Sequence, residues 1–316
     1  ANREIIDAAL ENARDLAKLI EGIDSKKHSV HFLHGKNFPQ ILEWLKEMYT
    51  AEARGSVNFD PLGYYVLYNR FYGSREKDMD EAAALITLGK ERLPAFDMIS
   101  VNGQHFNNAG ASLVQELAFA LAQGNEYLAA LTDKGFSVDD IAPRMQFTLA
   151  IGSNYFMEIA RLRAARLLWA RIVEQYQPAS PNSMKMNIHA VTSTWNKSIY
   201  DPYVNMLRTT TEAMAAAIGG ADSMTVLPFD ITFKKTDDFS ERIARNQQII
   251  LKYESYFNKI VDPAAGSYYV ENLTLSIAEA SWNLFLNVEQ LGGFIPAVEQ
   301  GFIHEQIEKT CQQRDM

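Results

Sequence analysis

The chain has 316 residues, 47% of them apolar, with a formal net charge of −9; that is enough for one large α/β domain or two ordinary ones around a sizeable core. Its interspersed, net-negative charge argues against a nucleic-acid surface, although a local basic patch could still hold a phosphate. The single Cys311 excludes a disulfide framework and a Cys-cluster metal site, and fits a reducing, cytoplasmic setting. No apolar run is long enough to span a bilayer, and no charged-then-apolar signal segment is found.

The opening IIDAALENARDLAKLI reads as a helix, so the chain starts in mid-helix and reads as a fragment of a longer protein. Short β-branched runs then occur at 29–33, 56–59, 98–101, 145–151, 186–192 and 224–229. Several are followed by apolar positions recurring at three and four residues, as in 38–49, 110–122, 155–176 and 202–218. Strands some 30–45 residues apart with helices between them predict βα units and a parallel sheet. No glycine fingerprint follows an early strand, so a dinucleotide fold has no support. Polar residues inside the strands, among them Asn58, Gln146, His189 and Thr192, suit a barrel lumen better than a doubly wound sheet. The expected class is therefore α/β, a (β/α)8 TIM-barrel type lacking its first two strands here. Residues 1–236 would form a partial barrel of about six βα units. Residues 237–316 would form a helical extension packed on it, with a fixed turn at 261–269 (VDPAAGSYY).

Few constellations suggest chemistry. His28, His31 and His34 form H-x-x-H-x-x-H, but a three-residue step on a strand alternates faces, so they cannot converge on one metal. His105 lies in VNGQHFNNAG between a strand and a helix, the end at which barrels place their active sites. It is either a general acid or a histidine bonded to a neighbouring carbonyl. Arg144 opens a strand, where a surface ion pair is the ordinary reading; His189, inside a strand, reads as a satisfied lumen or core histidine. Arg161, Arg163, Arg166 and Arg171 share one helix. They form either a solvated outer face or a partner interface.

The segment from Thr192, TSTWNKSIYDPYVNMLRTTTEAMAAAIGGADSMTVLPFD, resembles the adenosylcobalamin-dependent acyl-CoA mutases, the methylmalonyl-CoA mutase family above all. So do APRMQFTLAIGSNYFMEIARLRAARLLWARIVEQY from Ala142 and DPAAGSYYVENLT from Asp262. The resemblance covers nearly the whole chain. It implies a (β/α)8 barrel with acyl-CoA along its axis, and cobalamin held by a separate C-terminal domain through an Asp-x-His-x-x-Gly loop. No such loop is present: the last histidine, His304, stands in FIHEQIEKT.

Catalytic members of the family read Gly-Tyr-His-Met-Gln-Glu-Ala-Gly after the fifth strand, with the histidine assisting the migrating carbonyl. Gly103, His105, Ala109 and Gly110 match, whereas Gln104 replaces the tyrosine and Asn107–Asn108 the Gln-Glu pair. Of Pro-Arg-Leu-Ser, Arg144 is kept and Gln146 replaces the serine. Of His-Ser-Gln-Thr-Ser-Gly, His189, Thr192 and Ser193 remain, with Val191 for the glutamine and Thr194 for the glycine. Asn58–Phe59–Asp60 stands for Gln-Asn-Asp, and Tyr68 aligns with the arginine that pairs with the substrate carboxylate. A buried carboxylate without its arginine costs several kcal/mol, and radical chemistry depends on tight positioning and water exclusion.

The pattern is therefore similar to the non-catalytic small subunits of heterodimeric members, and His105, Arg144 and His189 are vestigial candidates. The implied partner is a large catalytic subunit that binds adenosylcobalamin, with an acyl-CoA ligand and self-association of the fragment both open. Neither nucleic acid nor a membrane is expected as a partner. The rival reading is the substrate barrel of an active mutase whose cobalamin domain lies on another chain.

Overall fold

The computed structural model of the chain describes residues 4–6, 12–32, 38–48 and 51–314. It divides into two compact units. The first comprises Ala1–Val101, Asn125–Gln146 and Val173–Met186; the second comprises Asn102–Gly124, Phe147–Ile172 and Asn187–Met316.

The first stretch of chain alternates strand and helix. Its elements are β1 (Glu4–Ile6), α1 (Ala13–Ile20), β2 (Val30–Phe32), α2 (Phe38–Met48), β3 (Gly55–Val57), α3 (Pro61–Tyr68), α4 (Arg75–Glu91), β4 (Phe96–Asp97) and β5 (Ile99–Val101). Strands β1 to β4 are neighbours in sequence order and run parallel, with Ile5 opposite His31, His31 opposite Ser56, and Ser56 opposite Asp97. Parallel neighbours need helical crossovers, and local chemistry starts α1, α3 and α4. The Asn12 side chain accepts from the Arg14 and Asp15 amides at the head of α1. Asp60 caps α3 with Pro61 in the first turn, and Ser74 caps α4. Asp60 is itself buried, and Oδ1 accepts from the Tyr127 hydroxyl at 2.7 Å and the Gly63 amide at 2.9 Å.

The later elements are α5 (Gln104–Asn108), α6 (Leu113–Asp133), α7 (Val138–Ile141), β6 (Met145–Ile151), α8 (Tyr155–Glu174), β7 (Asn187–Thr192), α9 (Asn205–Ile218), β8 (Ser223–Thr225), α10 (Asp238–Tyr253), α11 (Tyr268–Gln290), α12 (Phe294–Glu299) and α13 (Phe302–Arg314). Strand β6 is buried along its whole length, as a parallel strand covered on both faces should be. In the second unit Phe147 of β6 meets Trp169 of α8 edge to face at 4.6 Å, and both are fully buried. Strand β7 pairs in parallel with β8, His189 opposite Ser223. Only helices and turns follow residue 237 among the described residues. Asp237 and Ser240 start α10 with a capping box. Arg163 of α8 holds Asp262 in the turn and Glu271 of α11, the latter at 2.7 Å.

The α/β class with parallel strands is as the sequence predicts, but three details differ. The opening is not one helix. Ile5 and Ile6 lie in β1 against His31 and Phe32, and the helix begins only after the Asn12 cap; β-branched residues beside a waiting strand favour the sheet. The expected six strands become eight among the described residues, with β1 added and β4 standing apart from β5 by Met98 alone. The last strand ends at Thr225 instead of residue 229. Pro228 has no amide for a ladder, and the Leu227 amide bonds the Thr192 hydroxyl at 2.9 Å.

Candidate functional site

The histidines singled out in the sequence occupy distinct settings. His105 is half-buried on the short helix α5, directly after β5. His189 is buried in β7, with Nδ1 2.7 Å from the Ser223 hydroxyl and Nε2 3.1 Å from that of Thr225. Both ring nitrogens thus meet hydroxyls of the adjoining strand. In the first unit His31 of β2 repeats the device, with Nδ1 2.7 Å from Ser56 Oγ. His28 precedes β2, and His34 lies outside the described residues. Among the described residues no group of three or more His, Cys, Asp or Glu is placed to hold a metal ion.

The remaining candidates are distributed between the units. In the first, Asn58 is half-buried just past β3, and Tyr68 ends α3, 58% exposed and 4.6 Å from the Tyr64 ring. Arg144 stands at the N-terminal end of β6, and its guanidinium donates to the Asp140 carbonyl at 2.8 Å. Burial lowers its pKa, with Asp140 opposing. Gln146 is buried and donates to Asp97 at 3.3 Å. In the second unit Gln104 opens α5, Val191 is buried in β7, and Thr194 follows that strand. The Ser193 hydroxyl donates to Asn107 Oδ1 at 2.7 Å, and the Thr194 hydroxyl to Asn108 Oδ1 at 2.8 Å. Positions 108 and 194, one on α5 and one just past β7, are therefore bonded to each other.

Beside these contacts lies a group of buried charges that sequence reasoning missed. Glu116 of α6, Glu158 and Arg161 of α8, and Glu212 of α9 are all buried, as is the Lys197 side chain in the turn after β7. Arg161 pairs with Glu116 at 2.8 Å and Glu158 at 2.6 Å, and also donates to the Ala150 carbonyl. The Ala150 amide donates to Glu116 at 2.7 Å and the Gly152 amide to Glu158 at 2.8 Å. Lys197 lies 2.7 Å from both Glu212 oxygens, and Asn196 donates to the same carboxylate at 2.7 Å. The C-terminal end of β6 is thus held by carboxylates from two helices.

Burial shapes the acidity of this group. It pushes Glu116 up to about 7, with Arg161 opposing and Glu158 adding to the rise. It pushes Glu212 up to about 6 against Lys197, and lowers Lys197 against Glu212. Burial also works against the Arg161 charge, but Glu116 and Glu158 outweigh it and raise its pKa. A crevice beside Glu212, lined by Ile151, Ala190, Thr192 and Ala213, has no room for even a water molecule. It is a packing gap and not a small-molecule pocket.

The arginines of α8 do not share one setting. Arg161 is buried, Arg163 is taken by Asp262 and Glu271, and Arg166 pairs with Asp222 at 3.1 Å; Arg171 is exposed. The buried member was legible from spacing. Glu158, Arg161, Ala165, Leu168 and Ile172 recur at three and four residues, and the last three are core.

The methylmalonyl-CoA mutase family model matches residues 6–316. The chain belongs to the methylmalonyl-CoA mutase family. It is 49% identical to a methylmalonyl-CoA mutase small subunit of Porphyromonas gingivalis over 257 residues, 81% of this chain and 41% of that one. It is 40% identical to a methylmalonyl-CoA mutase of Rhizobium meliloti, over 97% of this chain and 44% of the relative. It is 38% identical to the Porphyromonas gingivalis large subunit, over 94% and 42%. The chain therefore spans under half the length of these mutases. Among the described residues no helix is long and apolar enough to cross a membrane.

Proposed function

We propose that this chain is the barrel part of a methylmalonyl-CoA mutase small subunit. In this reading it does not turn over substrate itself. It supports a large subunit that binds adenosylcobalamin and interconverts methylmalonyl-CoA and succinyl-CoA, in the cytoplasm. Residues 1–236 are the barrel domain in this reading, and residues 237–316 its helical extension.

One observation carries the reading. Thr194 and Asn108, which stand where catalytic members have glycine and glutamate, form a hydrogen bond of 2.8 Å. The departures fit one another, as expected of a chain under selection for structure. Two further points support it. Tyr68, aligned with the carboxylate-pairing arginine, presents a phenol that cannot neutralise a substrate carboxylate. The 49% identity is to a small subunit. In this reading cobalamin belongs to the partner, and His304 of α13, one helical turn from Glu308 at 3.9 Å, takes no part in holding it.

His105 favours the rival reading, an active barrel with its cobalamin domain on another chain. The two separate on one substitution. His105→Ala in this chain, assembled with its large subunit, should leave turnover within about twofold, whereas removing a general acid costs about a hundredfold or more. A hundredfold loss with the heterodimer intact would establish the rival.

A further inference from the structure

The buried charges of the second unit do not balance. Glu116, Glu158 and Glu212 contribute three carboxylates, while Arg161 and Lys197 contribute two cations. Fully ionised, the set carries one excess negative charge in a region closed to water. An uncompensated buried charge costs so much that the group takes up a proton instead.

We propose that this network stores one proton near neutral pH and acts as a pH-responsive clamp on segments 104–108 and 193–200. Each segment is tied to a carboxylate of the network. The Asn107 side chain donates to Glu116 and accepts from the Ser193 hydroxyl at 2.7 Å. The Asn196 side chain and Lys197 both hold Glu212. Asn205 of α9 closes the second segment, accepting from the Ser198 amide at 3.0 Å and donating to the Ser198 carbonyl at 2.9 Å.

The network's neighbours come from several elements, and His105, a further ionisable side chain, lies within segment 104–108 itself. Glu116 meets Arg161, Glu158, the Ala150 amide and Asn107. Glu212 meets Lys197 and Asn196, and Glu158 acts on it at longer range. Arg208 acts on Lys197 from the rim and is itself bonded to Asn205 at 2.9 Å. Glu158 thus links the two halves into one system, whose proton belongs to the set and not to one side chain.

The sign follows from burial. Glu116 and Glu212 sit at about 7 and about 6 in the folded chain, above the ordinary 4.5. The folded state therefore keeps a proton that the unfolded state has already lost. The contribution is fully present below about pH 4.5 and is lost as pH rises through about 6 to 7. Above that range the buried charge is uncompensated and the two segments loosen. The inference stands whether or not the chain turns over substrate.

Hydrogen exchange of segments 104–108 and 193–200, corrected for intrinsic rates, tests this between about pH 5 and pH 8. Opening of both segments should rise about tenfold or more across that range, since each pKa unit is worth a factor of ten. Glu116→Gln keeps a neutral polar group at every pH and should flatten the rise. The stored proton also has a signature that needs no variant: the infrared carbonyl band of a protonated carboxyl group, present in wild type near pH 6 and lost near pH 8.5. A flat wild-type exchange profile, a Glu116→Gln profile as steep as wild type, or no such band near pH 6 would each overturn the proposal.

Discussion

Arg161→Met is expected to destabilise the chain by about 3–5 kcal/mol, enough to leave little folded protein if the domain has ordinary stability. The guanidinium is fully buried and meets Glu116, Glu158 and the Ala150 carbonyl. Methionine fills much of the volume but leaves two buried carboxylates facing each other without a cation. Both must then take up protons or admit water, and the β6 carbonyl loses its donor. Removing a carboxylate should be far milder. Glu116→Gln leaves Arg161 paired with Glu158 and resembles the protonated acid. Urea unfolding at neutral pH measures both variants. A loss under about 1 kcal/mol for Arg161→Met, the range of an exposed pair, would show that the network is not a buried one.

Gly55→Ala should cost about 3 kcal/mol through overpacking, at the upper end for one added methyl group. Gly55 lies in β3, whose neighbours on either side are β2 and β4. A Cβ there would stand 2.0 Å from the Val30 carbonyl oxygen and 2.7 Å from the Phe96 ring. The ring could turn, but the carbonyl belongs to the adjacent strand, so the sheet itself must shift. Gly22 offers the contrast, since nothing lies within 4 Å of a Cβ there. Its φ of 79° gives Gly22→Ala a conformational cost of about 1 kcal/mol and no clash. Thermal unfolding distinguishes them: if Gly55→Ala matched the wild-type Tm, the close approach of β2 and β3 would be wrong.

Much of the fold is legible in the sequence because parallel strands are buried on both faces and therefore read as β-branched runs. The runs at 145–151 and 186–192 match β6 and β7 within a residue. What escaped depended on partners distant in sequence. Ile5 and Ile6 follow a helical spacing with Ala8, Ala9 and Leu10, and only β2 reveals them as strand. Glu116 and Arg161 are 45 residues apart, and neither carries a local motif. Arg161 was hidden among three other arginines of the same helix, and its helical phase alone distinguishes it. His189 was the reverse case. Its position inside a strand suggested a satisfied imidazole, and the hydroxyls of Ser223 and Thr225 supply the partners. The families of residues altered at 58, 68, 104, 146, 191 and 194 were visible only through the resemblance, because no periodicity marks a missing catalytic group.

The central claim is that this chain supports mutase chemistry without performing it. The most direct measurement is conversion of methylmalonyl-CoA to succinyl-CoA with adenosylcobalamin, by the purified chain alone and by the chain with its large subunit. The account predicts no turnover and no cobalamin absorbance change with the chain alone, and turnover together with co-purification when both are present. Turnover by this chain alone, or a large subunit that neither binds it nor gains activity from it, would contradict the account.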